Sequence, residues 1–265
     1  MENFLEHNIG YEEYITGNRF IDACENAGAT FCKTDYIPFF GGTKQRVFVT
    51  HNSDYHINEQ RVSQGPNFDK WFAQNKDIED DRIKCIPIGL ENMKLRNSQA
   101  AHHGLFSSEV KGALQKALLL DKINNLCIEK KDFAYLNFSV KTYKEERQHV
   151  LDKFSQEKWV NFENNISPEQ FYFNIASHKF VFSPRGNGVD CHRTWEALYL
   201  RTIPIVKKST CMNEFSELPI FFVDNWDDLC YIDLVNFYEK VKHNLFNLDK
   251  MKLSYWKERI KQLNE

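Results

Sequence analysis

Between residues 133 and 223, short apolar runs alternate with amphipathic stretches at close spacing, and this alternation restricts the possible folds more than any other feature. The runs are Phe133–Ser139, Trp159–Phe162, Lys179–Ser183, Thr202–Val206 and Pro219–Val223. Each is apolar along its length, as strands are when helices cover both faces of their sheet. The intervening stretches read as helices. Tyr143–Phe154 sets Val150, Leu151 and Phe154 against a charged face, and Cys191–Arg201 and Met212–Leu218 follow further on. Ser167-Pro168-Glu169-Gln170 supplies an N-cap serine, a proline at the first helical position and a glutamine three residues on, a capping-box pattern for a helix reaching about Ser177. Strand and helix alternating through short connections predict βα units on a parallel sheet. Asp227–Phe246 and Leu248–Leu263 are expected to close this part as two helices.

The first half is less regular. Lys44–Thr50 and Ile83–Ile88 read as strands, Phe68–Asn75 as a short helix burying Trp71 and Phe72, and Val110–Asn124 as a helix with Ala113, Leu114, Ala117, Leu118 and Ile123 at helical spacing. The charged run Glu129-Lys130-Lys131-Asp132 suggests a division near 125–132, giving domains 1–130 and 131–265. With 42% hydrophobic and 27% charged residues, the composition is that of a globular chain able to bury a sizeable core. A net charge of −3, with Lys and Arg spread along the whole chain, argues against a nucleic-acid partner. The cysteines at 24, 32, 85, 127, 191, 211 and 230 are odd in number and lack C-x-x-C spacing, so reduced thiols are expected, not disulfides or zinc. Met1–Glu6 carries neither a basic nor an apolar leader region, and no stretch approaches the ~18 apolar residues of a spanning helix. A soluble protein in the bacterial cytoplasm, or a host cytoplasm for a viral chain, is the expectation.

Chemistry concentrates at one strand–loop–helix junction, Ser183-Pro184-Arg185-Gly186-Asn187-Gly188 followed by Asp190, His192, Arg193 and Glu196. In open α/β sheets ligands sit beyond the carboxyl ends of strands, so this loop is suitably placed. Gly186 and Gly188 would let the backbone approach a ligand, and the next helix would present free N–H groups to a phosphate. Arg185 and Arg193 offer forked, permanently charged donors to phosphate oxygens. Glu196, at i+4 from His192, could accept from ribose hydroxyls one turn along. Plainer readings stand beside these. Asp190 also reads as an N-cap, His192 as a structural histidine, and Arg193 with Glu196 as a surface ion pair.

The run SPRGNGVDCHRTWEALYLRTIPIV, with LPIFFVDNWDDL after it, resembles the C-terminal nucleotide-sugar domain of exostosin-like glycosyltransferases. VTHNSDY, WFAQN and IPIGLEN are similar to pieces of small bacterial and viral members. Arg201 departs from the family, which often has glycine before the Ile-Pro-Ile strand. The resemblance implies a GT-B-like α/β fold, two Rossmann-like halves facing across a cleft, the N-terminal half being reduced here. It implies a sugar moved from a nucleotide-sugar donor, UDP-linked by family weight, to a glycan hydroxyl with inversion. Ser183, Arg185, Gly186, Asn187, Gly188, Asp190, His192, Arg193 and Glu196 would then bind the donor.

An inverting transfer needs a base from the other half, and His51 and Asp54 follow the strand Lys44–Thr50. Asp54 is the preferred base, although Asn52-Ser53-Asp54 also reads as a turn. No cofactor or metal is expected to be required, because Asp224-Asn225-Trp226-Asp227-Asp228 reads as a strand end, an N-cap and an acidic first turn. The alternative is a nucleotide- or glycan-binding protein without catalysis. A dehydrogenase is disfavoured, since no G-x-G-x-x-G follows a strand.

Overall fold

The computed structural model describes residues 7–92, 109–126 and 128–264; the N-terminal run 1–6 and Cys127 lie outside the described residues. Two parallel sheets form the frame. The first has strands β1 (Thr30–Lys33), β2 (Lys44–His51), β3 (Asn67–Ala73) and β4 (Ile83–Cys85), side by side in chain order. The second has β5 (Lys131–Leu136), β6 (Val160–Phe162), β7 (His178–Phe182), β8 (Ile203–Lys207) and β9 (Phe221–Val223), in the order β6-β5-β7-β8-β9. All pairings are parallel. The chain is therefore GT-B-like: two Rossmann-like halves face across a cleft, and the first is the smaller.

Helices α1 (Gly17–Ala27), α2 (Glu59–Gln64) and α3 (Glu109–Asn124) belong to the first half of the sequence. Then come α4 (Lys144–Phe154), α5 (Pro168–Ala176), α6 (His192–Tyr199), α7 (Thr210–Asn213), α8 (Tyr231–Val241) and α9 (Leu253–Asn264). The Ser167 side chain caps α5 by accepting from the Gln170 N–H. The reciprocal half of the capping box is absent, because the Gln170 amide donates instead to Asn174 Oδ1 at 2.7 Å. The elements do not divide by sequence position. Helix α9, expected to close the second half, packs on α1 and β2 of the first, while α3 packs on α5 and α6. One apolar core runs through both halves, from Val47, Val49 and Phe72 to Tyr135, Val181, Trp195 and Trp256.

Three expectations are corrected. Phe68–Asn75 is strand, not helix: Trp71, Phe72 and Ala73 are all buried because β3 is a central strand covered on both faces. In α3, Leu114 and Leu118 are exposed, and Lys116, Ala117, Leu120 and Ile123 turn inward. The cysteines are not all reduced, since Cys85 at the end of β4 and Cys211 in α7 form a disulfide 126 residues apart in sequence. Cys24, Cys32, Cys191 and Cys230 remain free thiols. Among the described residues no helix is long and apolar enough to cross a membrane.

Two backbone positions explain local sequence choices. Arg201 has φ +58°, the left-handed conformation that glycine adopts freely, so this departure from the resembled family carries a cost of about 1–2 kcal/mol. Its guanidinium donates to the His7 carbonyl at 2.9 Å. Gly89 has φ +64°, and a Cβ there would fall 2.3 Å from the Ile15 carbonyl oxygen, which already accepts from the Leu90 N–H. Gly42, with φ +78°, has open space around its missing Cβ. Gly42→Ala is therefore expected to cost only the left-handed strain of about 1–2 kcal/mol. Gly89→Ala should cost more, read as a larger drop in the denaturant midpoint; equal losses would contradict the close approach.

Candidate functional site

In the second sheet the strand order reverses between β5 and β7, and in open α/β sheets ligands bind beyond the carboxyl ends of the strands at such a switch point. Residues 137–139 after β5 and the Ser183–Gly188 loop after β7 flank this point. Arg147 of α4 fastens the two. It is buried, and donates from Nη1 to Ser139 O (2.8 Å), from Nε to Arg185 O (2.8 Å) and from Nη2 to Pro184 O (3.3 Å). The sequence reading overlooked Arg147, although its place at i−3 from Val150 and i−7 from Phe154 puts it on the buried face of α4. Burial, and then the charge of Arg193, pulls its pKa down to about 10, so it stays cationic at neutral pH.

Arg185 lies with its guanidinium 4.3 Å from the Tyr143 ring centroid and donates to Asn187 O at 3.1 Å and His56 Nε2 at 2.9 Å. Arg193, in the first turn of α6, sits 5.7 and 5.9 Å from the Phe138 and Phe171 rings. Its Nε is buried without a hydrogen-bond partner. Among the described residues no carboxylate pairs with Arg147, Arg185 or Arg193; the nearby Glu146 accepts from the Arg185 backbone N–H instead. Gly186 borders Arg147, where a Cβ would stand 3.3 Å from Nη2. Helix α6 starts from Cys191, which supplies no side-chain cap.

Other residues of the motif hold the scaffold. Ser183 is buried and hydrogen-bonded to Thr194 Oγ1 (2.9 Å) and Cys191 Sγ (3.2 Å), so it ties the loop to α6. Asp190 is not an N-cap. It is buried between the halves, accepting from the Ile88 N–H (2.7 Å) and the Trp195 indole (2.8 Å), while its own N–H donates to Asn75 Oδ1 (3.0 Å). Burial pushes its pKa up to about 7, against the pull of those donors. Gly188 abuts Asn75, whose Nδ2 would lie 2.6 Å from a Cβ. The His192 ring meets Gly89 O at 2.7 Å.

Glu196 faces neither ribose nor solvent. It is buried, accepting from Lys116 Nζ of α3 (2.8 Å) and from the Tyr172 hydroxyl (3.1 Å), with Glu91 3.6 Å from the same ammonium. Burial alone would raise the Glu196 pKa, but the Lys116 charge and hydrogen bond outweigh it and hold the carboxyl at about 2. Spacing along α6 indicated a shared face and could not say that α3 covers it.

The base candidates lie across the cleft. His51 is buried: Nδ1 accepts from the Asn52 N–H (2.8 Å), which leaves Nε2 to donate to Pro87 O (3.0 Å). Burial lowers its pKa to about 4, so the ring is neutral at pH 7 with both nitrogens engaged. Asp54 is exposed, and its Oδ2 accepts from Asn187 Nδ2 at 3.2 Å. His51, Asp54 and His192 all line a cavity of about 850 Å³ over the carboxyl ends of the first sheet; Arg185 and Arg193 do not. In the acidic run after β9, Asp224 pairs with Lys208 and Asp227 with His149 and Lys153.

No family model matches the chain, and no curated protein matches it. Among solved structures it is similar to a crystal structure of an alpha1,3-fucosyltransferase, at 15% identity and a TM-score of 0.44 over 87% of this chain and 73% of that one. It is also similar to a crystal structure of an alpha1,3-fucosyltransferase with GDP, at 16% identity and a TM-score of 0.42 over 82% of this chain and 74% of that one.

The buried Lys116–Glu196 pair is open to test. Lys116→Met leaves Glu196 buried without its counter-charge and should cost about 3–5 kcal/mol in chemical unfolding. The double variant Lys116→Met/Glu196→Gln should cost less than the sum of the singles. Because the folded pKa of Glu196 is depressed from 4.5 to about 2, its contribution is present above pH 4.5 and lost as pH falls toward 2. The acid limb of stability should therefore be shallower in Glu196→Gln than in the wild type.

Proposed function

We propose that the chain is a glycosyltransferase whose switch point in the second sheet holds the diphosphate of a nucleotide-sugar. The observation carrying this is the set of guanidinium groups of Arg147, Arg185 and Arg193, none of which forms an ion pair with a carboxylate among the described residues, and of which Arg193 Nε is buried without a partner. A buried donor left unsatisfied costs about 1–3 kcal/mol, and a diphosphate oxygen would satisfy it. The uncapped start of α6 adds N–H donors in the same place. Ser183, Gly186, Asn187, Gly188 and Asp190 give the loop its shape, and His192 and Glu196 fix α6 against the first half. UDP is the nucleotide implied by the exostosin resemblance, and these residues read the diphosphate, not the base.

In the reaction the acceptor hydroxyl gives its proton to Asp54 as its oxygen bonds to the anomeric carbon. The bond from that carbon to the diphosphate breaks, and its electron pair leaves with the nucleoside diphosphate. Attack from the Asp54 side with departure toward the arginines inverts the anomeric carbon. The arginines stabilise the charge growing on the leaving group, where preorganised donors act most strongly. They take the part a divalent cation could play, so no metal is assigned a step. His51, neutral and doubly hydrogen-bonded, orients the segment that carries Asp54 and is not the base in this proposal.

The test is a thermal-shift panel of UDP, GDP, CMP and their sugar conjugates in EDTA, followed by assay of nucleoside diphosphate release. A nucleotide at ~100 times its dissociation constant stabilises by about 2.7 kcal/mol. The shift should disappear in Arg193→Met. Asp54→Asn should keep the shift and lose roughly 10²–10⁴ in transfer rate. Binding without release by the wild type would favour the non-catalytic alternative, and no shift with any nucleotide would sink the donor site.

A further inference from the structure

Two cysteines far apart in sequence meet where the halves join, and the position of their bond gives it a use beyond holding the fold. Cys85 ends β4 of the first sheet and Cys211 lies in α7 of the second half; both are buried, at 1% and 0% exposed. After Cys85 the chain runs as an irregular strap over residues 86–91. The Ile88 N–H of this strap donates to Asp190 (2.7 Å), and the Gly89 carbonyl meets the His192 ring (2.7 Å). Those two contacts grip the start of α6, where Arg193 stands. The disulfide therefore pins one end of the strap that positions the arginine-bearing helix.

The bond is not needed to assemble the seam. Beside it Glu214, at the end of α7, accepts from the Cys85 N–H at 2.9 Å and from the Lys76 ammonium. Cys85 and Cys211 also belong to the apolar core that both halves share, where a reduced thiol packs as a small hydrophobe. A chain of 265 residues buries core enough to fold without a crosslink, unlike small disulfide-dense domains. The two Cα atoms are 5.5 Å apart, within the span of a bridge, so the bond can re-form from this arrangement without backbone movement. What the bond adds is a covalent limit on how far the halves can part.

We propose that Cys85–Cys211 is a redox lock on the seam, opened by a dithiol reductant and closed again by a disulfide oxidant. One reductant thiolate attacks a bridge sulfur, the S–S bond breaks, and the other cysteine leaves as a thiolate and takes up a proton. The second reductant thiol then displaces the first cysteine. The bridge has gained two electrons and two protons, and the reductant has become a disulfide. Both sulfurs are buried, so attack waits for the seam to open locally. In the reduced form the strap is held by hydrogen bonds and packing alone, and the start of α6 loses part of its preorganisation for a nucleotide. That last step rests on the transferase reading above; the lock itself does not.

The test compares wild-type protein after oxidised glutathione with the same protein after dithiothreitol. Thiols are counted by maleimide labelling in denaturant and located by mass spectrometry. The oxidised form should label two thiols fewer, with Cys85 and Cys211 the protected pair, and should melt at a higher temperature. Reduction of the folded protein should be slow and should accelerate in urea below the unfolding midpoint. Affinity for UDP or GDP should fall about tenfold on reduction and recover on reoxidation. Cys85→Ala/Cys211→Ala should match the reduced form whichever reagent is added. If that variant fails to fold, Cys211→Ala alone removes the bridge, and the wild-type comparison stands without either. Equal thiol counts, an unchanged melting temperature, or equal nucleotide affinity in the two forms would each overturn the proposal. Nucleotide binding by neither form would bring down the donor reading instead, and the thiol count and melting shift would still decide the lock.

Discussion

Asp190 sits where the two halves meet, and what it accepts there sets the geometry of everything around it. One carboxylate takes the N–H of Ile88, just past β4, and the indole N–H of Trp195 in α6. Its backbone N–H goes to Asn75, just past β3, so a single residue joins the carboxyl ends of both sheets. A buried carboxylate persists only when it is hydrogen-bonded, and losing any of these donors would leave it exposed to the full cost of its burial. Around this point the seam is closed by further polar contacts: Glu214 with Lys76 and the Cys85 N–H, His192 with Gly89, and Glu196 with Lys116. These specific pairs add to the apolar core that the two halves share, so the relative position of the halves is tightly defined.

That precision lets two unlike polar environments lie side by side. Three arginines gather at the switch point of the second sheet, while the cavity over the first carries Asp54 beside carboxylates already paired with Lys33 and Lys116. Overall the chain is nearly neutral, with a net charge of −3, so this segregation is local and invisible in bulk composition. Asn187 and Asp54 touch at the border between them.

Legibility from sequence followed a physical rule. The second sheet was readable because its strands are short apolar runs between well-marked helices, and Ser167-Pro168 marked the start of α5 outright. In the first half β3 was misread: Asp69 and Lys70 beside Trp71 and Phe72 imitate one turn of an amphipathic helix, and only pairing with β2 and β4 identifies a strand. Within the motif, Arg185, Gly186 and Arg193 could be placed from the strand–loop–helix pattern alone. Glu196 could not, because its partner Lys116 lies on a helix 80 residues away in sequence. Nor could the Cys85–Cys211 bond, since cysteine spacing carries no information about contacts across a seam. Arg147 marks the middle case, its burial readable from helical phase but its carbonyl partners fixed only by the fold.

Helix α9 bears on how the protein comes to be folded. Its buried residues Leu253, Trp256 and Ile260 cover α1 and β2, so the first sheet lacks part of its core until the distal end of the chain arrives. A ribosome delivers β1 to β4 early, yet one apolar face of that sheet waits while the whole second half is made. Synthesis therefore cannot complete the halves one after the other. The second sheet, with its own helices close at hand in sequence, is positioned to become the template, and the first is finished last although it is made first.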